Sequence, residues 1–172
     1  FSLRTNKEFL SLEKDSFSLR PGEEETITFI VAPLKPGIST AVLTVTTEFA
    51  EKQVPVIIDV YSPGAAFTIN LNIPTQFKVV KPGTEIFSTV TITNLAGEFI
   101  DVRFVIMDAA SRVIYEERET LNVKDSISIE KTMKIPASLP PGSYAFGVIV
   151  QYRGETKTKA QLITLKRAPR PQ

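Results

Sequence analysis

Apolar and polar residues alternate along most of this chain, the period of two that sends successive side chains to opposite faces of a strand. In Thr26-Ile27-Thr28-Phe29-Ile30-Val31, the residues Ile27, Phe29 and Val31 share one face. The same pattern predicts strands over 41–46, 53–60, 67–71, 89–93, 101–106, 126–129 and 144–150. These runs are rich in Val, Ile, Thr and Phe, which suit a pleated, half-buried surface. No stretch carries an apolar stripe at i, i+3, i+4 and i+7 over three turns. Many short strands at spacings of about 8–12 residues make the expected fold all-β, a sandwich or barrel.

Turn chemistry agrees with this reading. Five Pro-Gly pairs, Pro21-Gly22, Pro36-Gly37, Pro63-Gly64, Pro82-Gly83 and Pro141-Gly142, punctuate the chain. Proline presets φ at the first central residue of a turn and glycine accepts positive φ at the second, so each pair predicts a type II turn. Pro63-Gly64 falls where one strand set ends and another begins, and marks a short linker.

The two sides of that linker repeat one another. Leu19-Arg20-Pro21-Gly22-Glu23 leads into Thr26–Phe29, then Pro36-Gly37, then two strands ending at Val60. Leu121-Asn122-Val123-Lys124-Asp125 leads into Ile127 and Ile129, then Pro141-Gly142, then two strands ending near Leu165. The second half has four further strand-like runs before this point; the first has only Phe1–Arg4 and Phe9–Leu12. The expected architecture is two tandem immunoglobulin-like antiparallel β-sandwich units, the first lacking its opening strands. Residues 1–62 form the partial unit, 63–66 the linker, 67–165 the complete unit and 166–172 a basic, Pro-rich tail. A sandwich short of strands exposes unpaired backbone and an apolar face. The missing strands are expected from an upstream part of the natural chain or, alternatively, from another subunit by strand donation. With Phe1 in place of Met and no basic-then-apolar opening, the chain reads as a processed or excised piece without a signal peptide.

Composition narrows function mainly by what is missing. The 172 residues include no Cys, His or Trp. Zinc sites lose their usual ligands, and Ser–His–Asp and Cys–His catalysis lack a base. A net charge of +1, from 20 basic and 19 acidic residues mixed along the chain, offers no clustered basic footprint for nucleic acid. No apolar run reaches the roughly 20 residues that span a bilayer as a helix.

Residues 67–165 resemble the Ig-like, cell-adhesion-related (CARDB-type) domains of bacterial and archaeal surface proteins. The matching motifs are Val80-Lys81-Pro82-Gly83-Thr84-Glu85, Val90-Thr91-Ile92-Thr93-Asn94-Leu95 and Leu139-Pro140-Pro141-Gly142-Ser143-Tyr144. Residues 9–60 resemble the C-terminal half of such a module or of a Hydin-type Ig-like domain. Leu19–Glu23, Pro36-Gly37 and the closing Val54–Val60 carry that likeness. The resemblance implies a non-catalytic spacer or adhesive ectodomain of an extracellular or cell-envelope protein, with a protein or cell-surface partner. A Hydin-type likeness alone would also fit an intracellular, cytoskeletal setting. Two alternatives stand beside it. One is a self-assembling filament or surface-layer subunit that associates through an edge strand; the other is a set of accessory domains on a larger envelope enzyme.

Candidate chemical groups are few, and each has a structural explanation. Glu23-Glu24-Glu25 and the trio Glu116, Glu117 and Glu119 are the acidic clusters. A carboxylate pair for glycoside hydrolysis must share a face, which leaves Glu117 with Glu119 or Glu23 with Glu25. Solvated charges that discourage edge pairing are the plainer reading. Calcium needs several clustered oxygens. Asp15, Asp59, Asp101, Asp108 and Asp125 are scattered, Asp101 and Asp108 being the best placed. No Ser-x-x-Lys or Gly-x-Ser-x-Gly stands on a sharp strand–helix turn. Phe29, Phe104, Tyr144 and Phe146 fall at inward-alternating positions and are expected in the core. The tail Leu165–Gln172, with three basic residues and two prolines, reads as an extended linker rather than an anionic-surface contact. No catalytic, cofactor-binding or metal-binding residue is assigned, and no cofactor is expected.

Overall fold

Alternation becomes a fold when each strand finds neighbours on both edges and a cover for its apolar face. A computed structural model describes residues 1–32, 34–60, 67–93 and 95–166. Among them run thirteen strands: β1 (Ser2–Thr5), β2 (Leu10–Leu12), β3 (Phe29–Val31), β4 (Gly37–Thr46), β5 (Glu51–Val60), β6 (Thr68–Asn72), β7 (Val79–Val80), β8 (Glu85–Thr93), β9 (Glu98–Met107), β10 (Val113–Val123), β11 (Ile127–Lys134), β12 (Gly142–Tyr152) and β13 (Glu155–Leu165). The only helical element among the described residues is one 3₁₀ turn, Thr75–Phe77. The protein is all-β.

From Phe67 onward two sheets face each other. One is ordered β11-β8-β6 and the other β10-β9-β12-β13-β7. On β8 the alternation is complete: Ile86, Ser88, Val90 and Ile92 are buried while their neighbours are half-exposed. Phe67, Phe104 and Phe146 fill the space between the sheets with Ile73, Ile100 and Ile163, all with at most 1% exposure. Each such side chain contributes roughly 1.5–3 kcal/mol relative to leaving it in water. Tyr144 joins them, and its hydroxyl donates to the Pro140 carbonyl at 2.7 Å. The β12–β13 hairpin closes on Arg153 and Gly154, with φ of 49° and 78°. Positive φ at both central residues is the I′ geometry that matches strand twist. The two-residue β7 pairs parallel with the end of β13.

The first body is smaller. Its sheets are β1-β4-β5 and β2-β3, and Leu3, Leu10, Ala41 and Leu43 are its buried apolar residues. The alternation of 26–31 predicts a six-residue strand, but only Phe29–Val31 enter the ladder. β3 is paired on one side alone, by β2, and a strand with one short neighbour has few bonds to hold its ends. Phe29 is half-buried, unlike Phe104 and Phe146.

The Pro-Gly pairs divide. Gly22 and Gly83, at φ 87° and 84°, hold the conformation a type II turn requires. Gly142 is not among the residues with positive φ; it opens β12 opposite Leu165, so Pro141-Gly142 leads into a strand instead of making the expected turn. Pro63-Gly64, the predicted 63–66 linker and the tail beyond Lys166 lie outside the described residues.

Candidate interaction surfaces

β4 has a partner on each face. Ala41 and Leu43 point into the first body's own core, while Ile38 and Thr40 point the other way, onto the outer face of the β9-β12-β13 sheet. Alternation on β12 sends Tyr144, Phe146 and Val148 into the main core, and Ala145, Gly147 and Ile149 to this outer face. There Val105, Met107 and Ala145 are buried beneath Ile38 and Ile57, with Ile149 beside them. Gly147 makes the approach possible: a Cβ on it would lie 2.6 Å from the Ile38 Cδ1 and 3.1 Å from the Val105 Cγ2.

Hydrogen bonds flank this apolar seam. The Thr40 N–H donates to the Ser111 hydroxyl at 2.7 Å, and the Thr40 hydroxyl donates to the Asp108 carbonyl at 2.8 Å. The Ser111 N–H returns a bond to the Thr40 hydroxyl at 3.0 Å. Ser111 adopts φ 64° in the β9–β10 turn, a conformation costly for a non-glycine residue, and the bonds from Thr40 help to hold it. The Asp108 carboxylate organises that turn, accepting from the Ala110 and Arg112 N–H groups at 2.9 and 3.0 Å and from the Arg112 side chain. Partial burial works against its charge, but the bonds from Arg112 and Ala110 outweigh it and hold the carboxyl below its ordinary value. At the other end, Asp59 accepts from the Thr158 hydroxyl at 2.7 Å and lies 3.8 Å from the Lys159 ammonium. Beyond the Thr40–Ser111 end a cleft of about 220 Å³ is lined mainly by Val42, Pro55, Ile57, Tyr144, Ala145 and Leu162.

Glu117 and Glu119 do share a face, as strand alternation requires. They converge on one ammonium, that of Lys131 on β11, at 2.7 and 2.6 Å. Burial pulls the Lys131 pKa down, yet the hydrogen bonds its ammonium donates to both carboxylates more than offset it and the net shift is upward. The ammonium also sits 5.2 Å from the centre of the Phe104 ring. Both carboxylates are therefore held by a cation at the rim of the core, not opposed across a cleft. Tyr115 donates to Glu117 at 3.1 Å, which raises the Tyr115 pKa, with burial adding to it. Glu116 points to the other face, where Arg103 and Arg118 bind it and lower its pKa to about 2. Glu23, Glu24 and Glu25 are exposed; Glu23 caps the Arg20 N–H at 2.8 Å and Glu25 pairs with Lys14 at 2.6 Å.

The aspartates do not gather. Asp101 accepts from Thr120 at 2.7 Å. Seven positions along an extended strand separate it from Asp108, roughly 23 Å. Asp15 and Asp125 are exposed elsewhere. No group of three metal-ligating side chains occurs among the described residues. Ser128 and Lys131 have Ser-x-x-Lys spacing, but both lie in β11, where residues three apart point to opposite faces.

The remaining surface of note is the open flank of the first body. Val31 on β3 is 45% exposed and Val54 on β5 is 37% exposed, while Ile30, 53% exposed, points to the opposite face of β3. Sequence reasoning anticipated an apolar opening here from the missing strands. It did not anticipate the seam, whose one local signal is a glycine inside the strand pattern of β12, a mark of close backbone approach.

No protein-family model matches the chain, and no curated protein matches it. Among solved structures, it is similar to the sporulation control protein Spo0M from Bacillus subtilis, at 16% identity and a TM-score of 0.43, over 61% of this chain and 51% of that one. A family 123 glycoside hydrolase from Clostridium perfringens gives 11% identity and a TM-score of 0.45, over 62% of this chain and 28% of the hydrolase. A beta-glucosidase from Listeria innocua gives 14% and 0.39, over 58% of this chain and 16% of the enzyme. The chain thus spans about half of the first and far less of the other two, and likenesses of this size carry no argument about activity.

Proposed function

We propose that this chain is a non-catalytic structural and interaction module, a spacer or adhesive segment of an extracellular or cell-envelope protein. In this reading its two bodies are immunoglobulin-like units, the second complete and the first short of its opening strands. The observation that carries it is the seam. Ile38 seated over Gly147, with Thr40–Ser111 and Asp59–Thr158 on either side, joins the two bodies through side-chain contacts. A seam of this kind suits a part that holds a fixed shape between other parts. The charged groups fit the same role, since Lys131, Arg103 and Arg112 are engaged by Glu117, Glu119, Glu116 and Asp108. The surface setting and the CARDB- and Hydin-type resemblance belong to this proposal.

Amide ¹⁵N relaxation on the full chain tests it. Both bodies should report one rotational correlation time, as a single rigid particle does. Two distinct times would mean that the seam does not hold in solution, and the spacer reading would fall.

A self-assembling subunit is the second reading, favoured by the open flank of the first body. It requires a spare strand, and every strand among the described residues is already paired within the chain.

A further inference from the structure

The first body covers only part of the outer face of the five-stranded sheet. On β13, Thr158 is buried and its hydroxyl donates to Asp59 of the first body at 2.7 Å. Thr156, two residues earlier and on the same face, is exposed. The cover stops between these two residues, and the face beyond them is open.

Strand register brings four hydrogen-bonding side chains into one row across this open part. Thr120 of β10 stands opposite Asp101 of β9, Asp101 opposite Gln151 of β12, and Gln151 opposite Thr156 of β13. All four are exposed. Directly opposite residues share a face, and neighbouring strands lie about 4.8 Å apart, so the row runs roughly 14 Å. The Thr120 hydroxyl donates to the Asp101 carboxylate at 2.7 Å, which orients that end of the row. Beside it lies an aromatic ring. Phe99, two residues before Asp101 on the same face, is 68% exposed, with the exposed Asn122 of β10 opposite it. Ile100 and Val102, at the intervening positions of β9, are buried in the core.

The chemistry of this row selects its ligand. β9 and β12 are paired on both sides, so whatever lies across them is held by side chains and not as an added strand. Thr and Gln side chains both donate and accept, and a carboxylate accepts, which matches a ligand whose hydroxyls do both. The side chains recur at close to the repeat of one pyranose unit, and the exposed ring offers its flat face to the C–H face of a sugar. The local charges do not favour a polyanion. Arg103 and Arg118, opposite one another on the next rung, are both bound by Glu116, Arg153 donates to the Ala96 carbonyl at 3.3 Å, and Asp101 adds a negative charge. We propose that this face binds a neutral glycan, an extended chain of pyranose units lying along the row with one ring against Phe99. The inference gives the adhesive half of the proposed function a ligand class and rests on that reading, whereas the spacer half stands on the seam.

Isothermal titration calorimetry of the full chain tests it, with cellohexaose, xylohexaose, mannohexaose, laminarihexaose and chitohexaose as probes. At least one should bind saturably, with a Kd of about 1 mM or tighter. Phe99→Ala, at an exposed position, should weaken that binding by about tenfold, and Gln151→Ala by about threefold. Phe49→Ala removes a ring that is 94% exposed on the β4–β5 turn and should leave the affinity unchanged. Amide shifts on saturation should gather at residues 99–101, 120–122 and 151–156. No saturable binding by any probe, binding indifferent to Phe99→Ala, or shifts confined to the cleft beside Tyr144 and Leu162 would each overturn the proposal. Binding of sulfated heparin alone would overturn it too. Relaxation data from the same labelled protein keep the two readings apart. A single tumbling time without glycan binding overturns only the glycan face, and independent tumbling overturns only the rigid spacer.

Discussion

Gly147 is the residue on which the seam turns, and its role follows from volume alone. The Ile38 Cδ1 occupies the place where a Cβ would stand. Alanine at this position is compatible with the strand backbone, so the cost of Gly147→Ala is overpacking, about 1–3 kcal/mol. The atom in the way is the end of a side chain, and shortening that side chain should relieve it. Ile38→Val alone removes one buried methyl group and should cost about 1 kcal/mol. In the Gly147→Ala background the same change should cost less than it does alone, or even restore stability, giving a coupling of about 1 kcal/mol. Urea midpoints of the four proteins measure this. Strictly additive losses would mean that Ile38 does not rest on Gly147 in solution.

Among the elements, those whose evidence lies within a few residues were readable from the sequence. Alternation located the strands, and the repeated order of strand, Pro-Gly and hairpin anticipated β4–β5 and β12–β13, the longest antiparallel pairs in their bodies. Phe104, Tyr144 and Phe146 were placed inside correctly for the same reason. What escaped depends on neighbours distant in sequence. β7 is two residues long and exists only because β13 runs beside it. Thr26–Thr28 alternate as well as any strand, but alternation cannot supply the missing neighbour. β4 is apolar enough on both faces that its pattern does not say which side meets another body. The shared face of Glu117 and Glu119 was legible, whereas their common partner Lys131, on another strand, was not. The same contrast predicts how the chain divides. Residues 66–172 carry a complete pair of facing sheets and should unfold in one cooperative thermal transition. Among the described residues of 1–62, Leu3, Leu10, Ala41 and Leu43 are the buried apolar set, and the isolated segment loses the cover that the second body gives Ile38 and Ile57. At that size a domain is marginal even with a full core, so the isolated segment should show no cooperative transition by circular dichroism. A sharp melt of monomeric 1–62 would remove the case for its incompleteness.

For the molecule as a whole, the question raised by an open edge is whether copies join through it. One edge elsewhere is guarded: β10, the outermost strand of the five-stranded sheet, carries Glu116, Glu117, Arg118 and Glu119 in succession, the charge pattern that discourages edge-to-edge pairing. The edge of β3 has no such guard, but it is only three residues long. Two copies meeting there could share a handful of backbone bonds, each worth about 1 kcal/mol net. Against this stands an association cost of about 4 kcal/mol or more. The 172-residue chain should therefore remain monomeric in light scattering on a gel-filtration column across a wide range of loading concentrations. Mass that grows with concentration would show that copies supply one another's strand after all, and assembly would then replace the spacer role as the leading function.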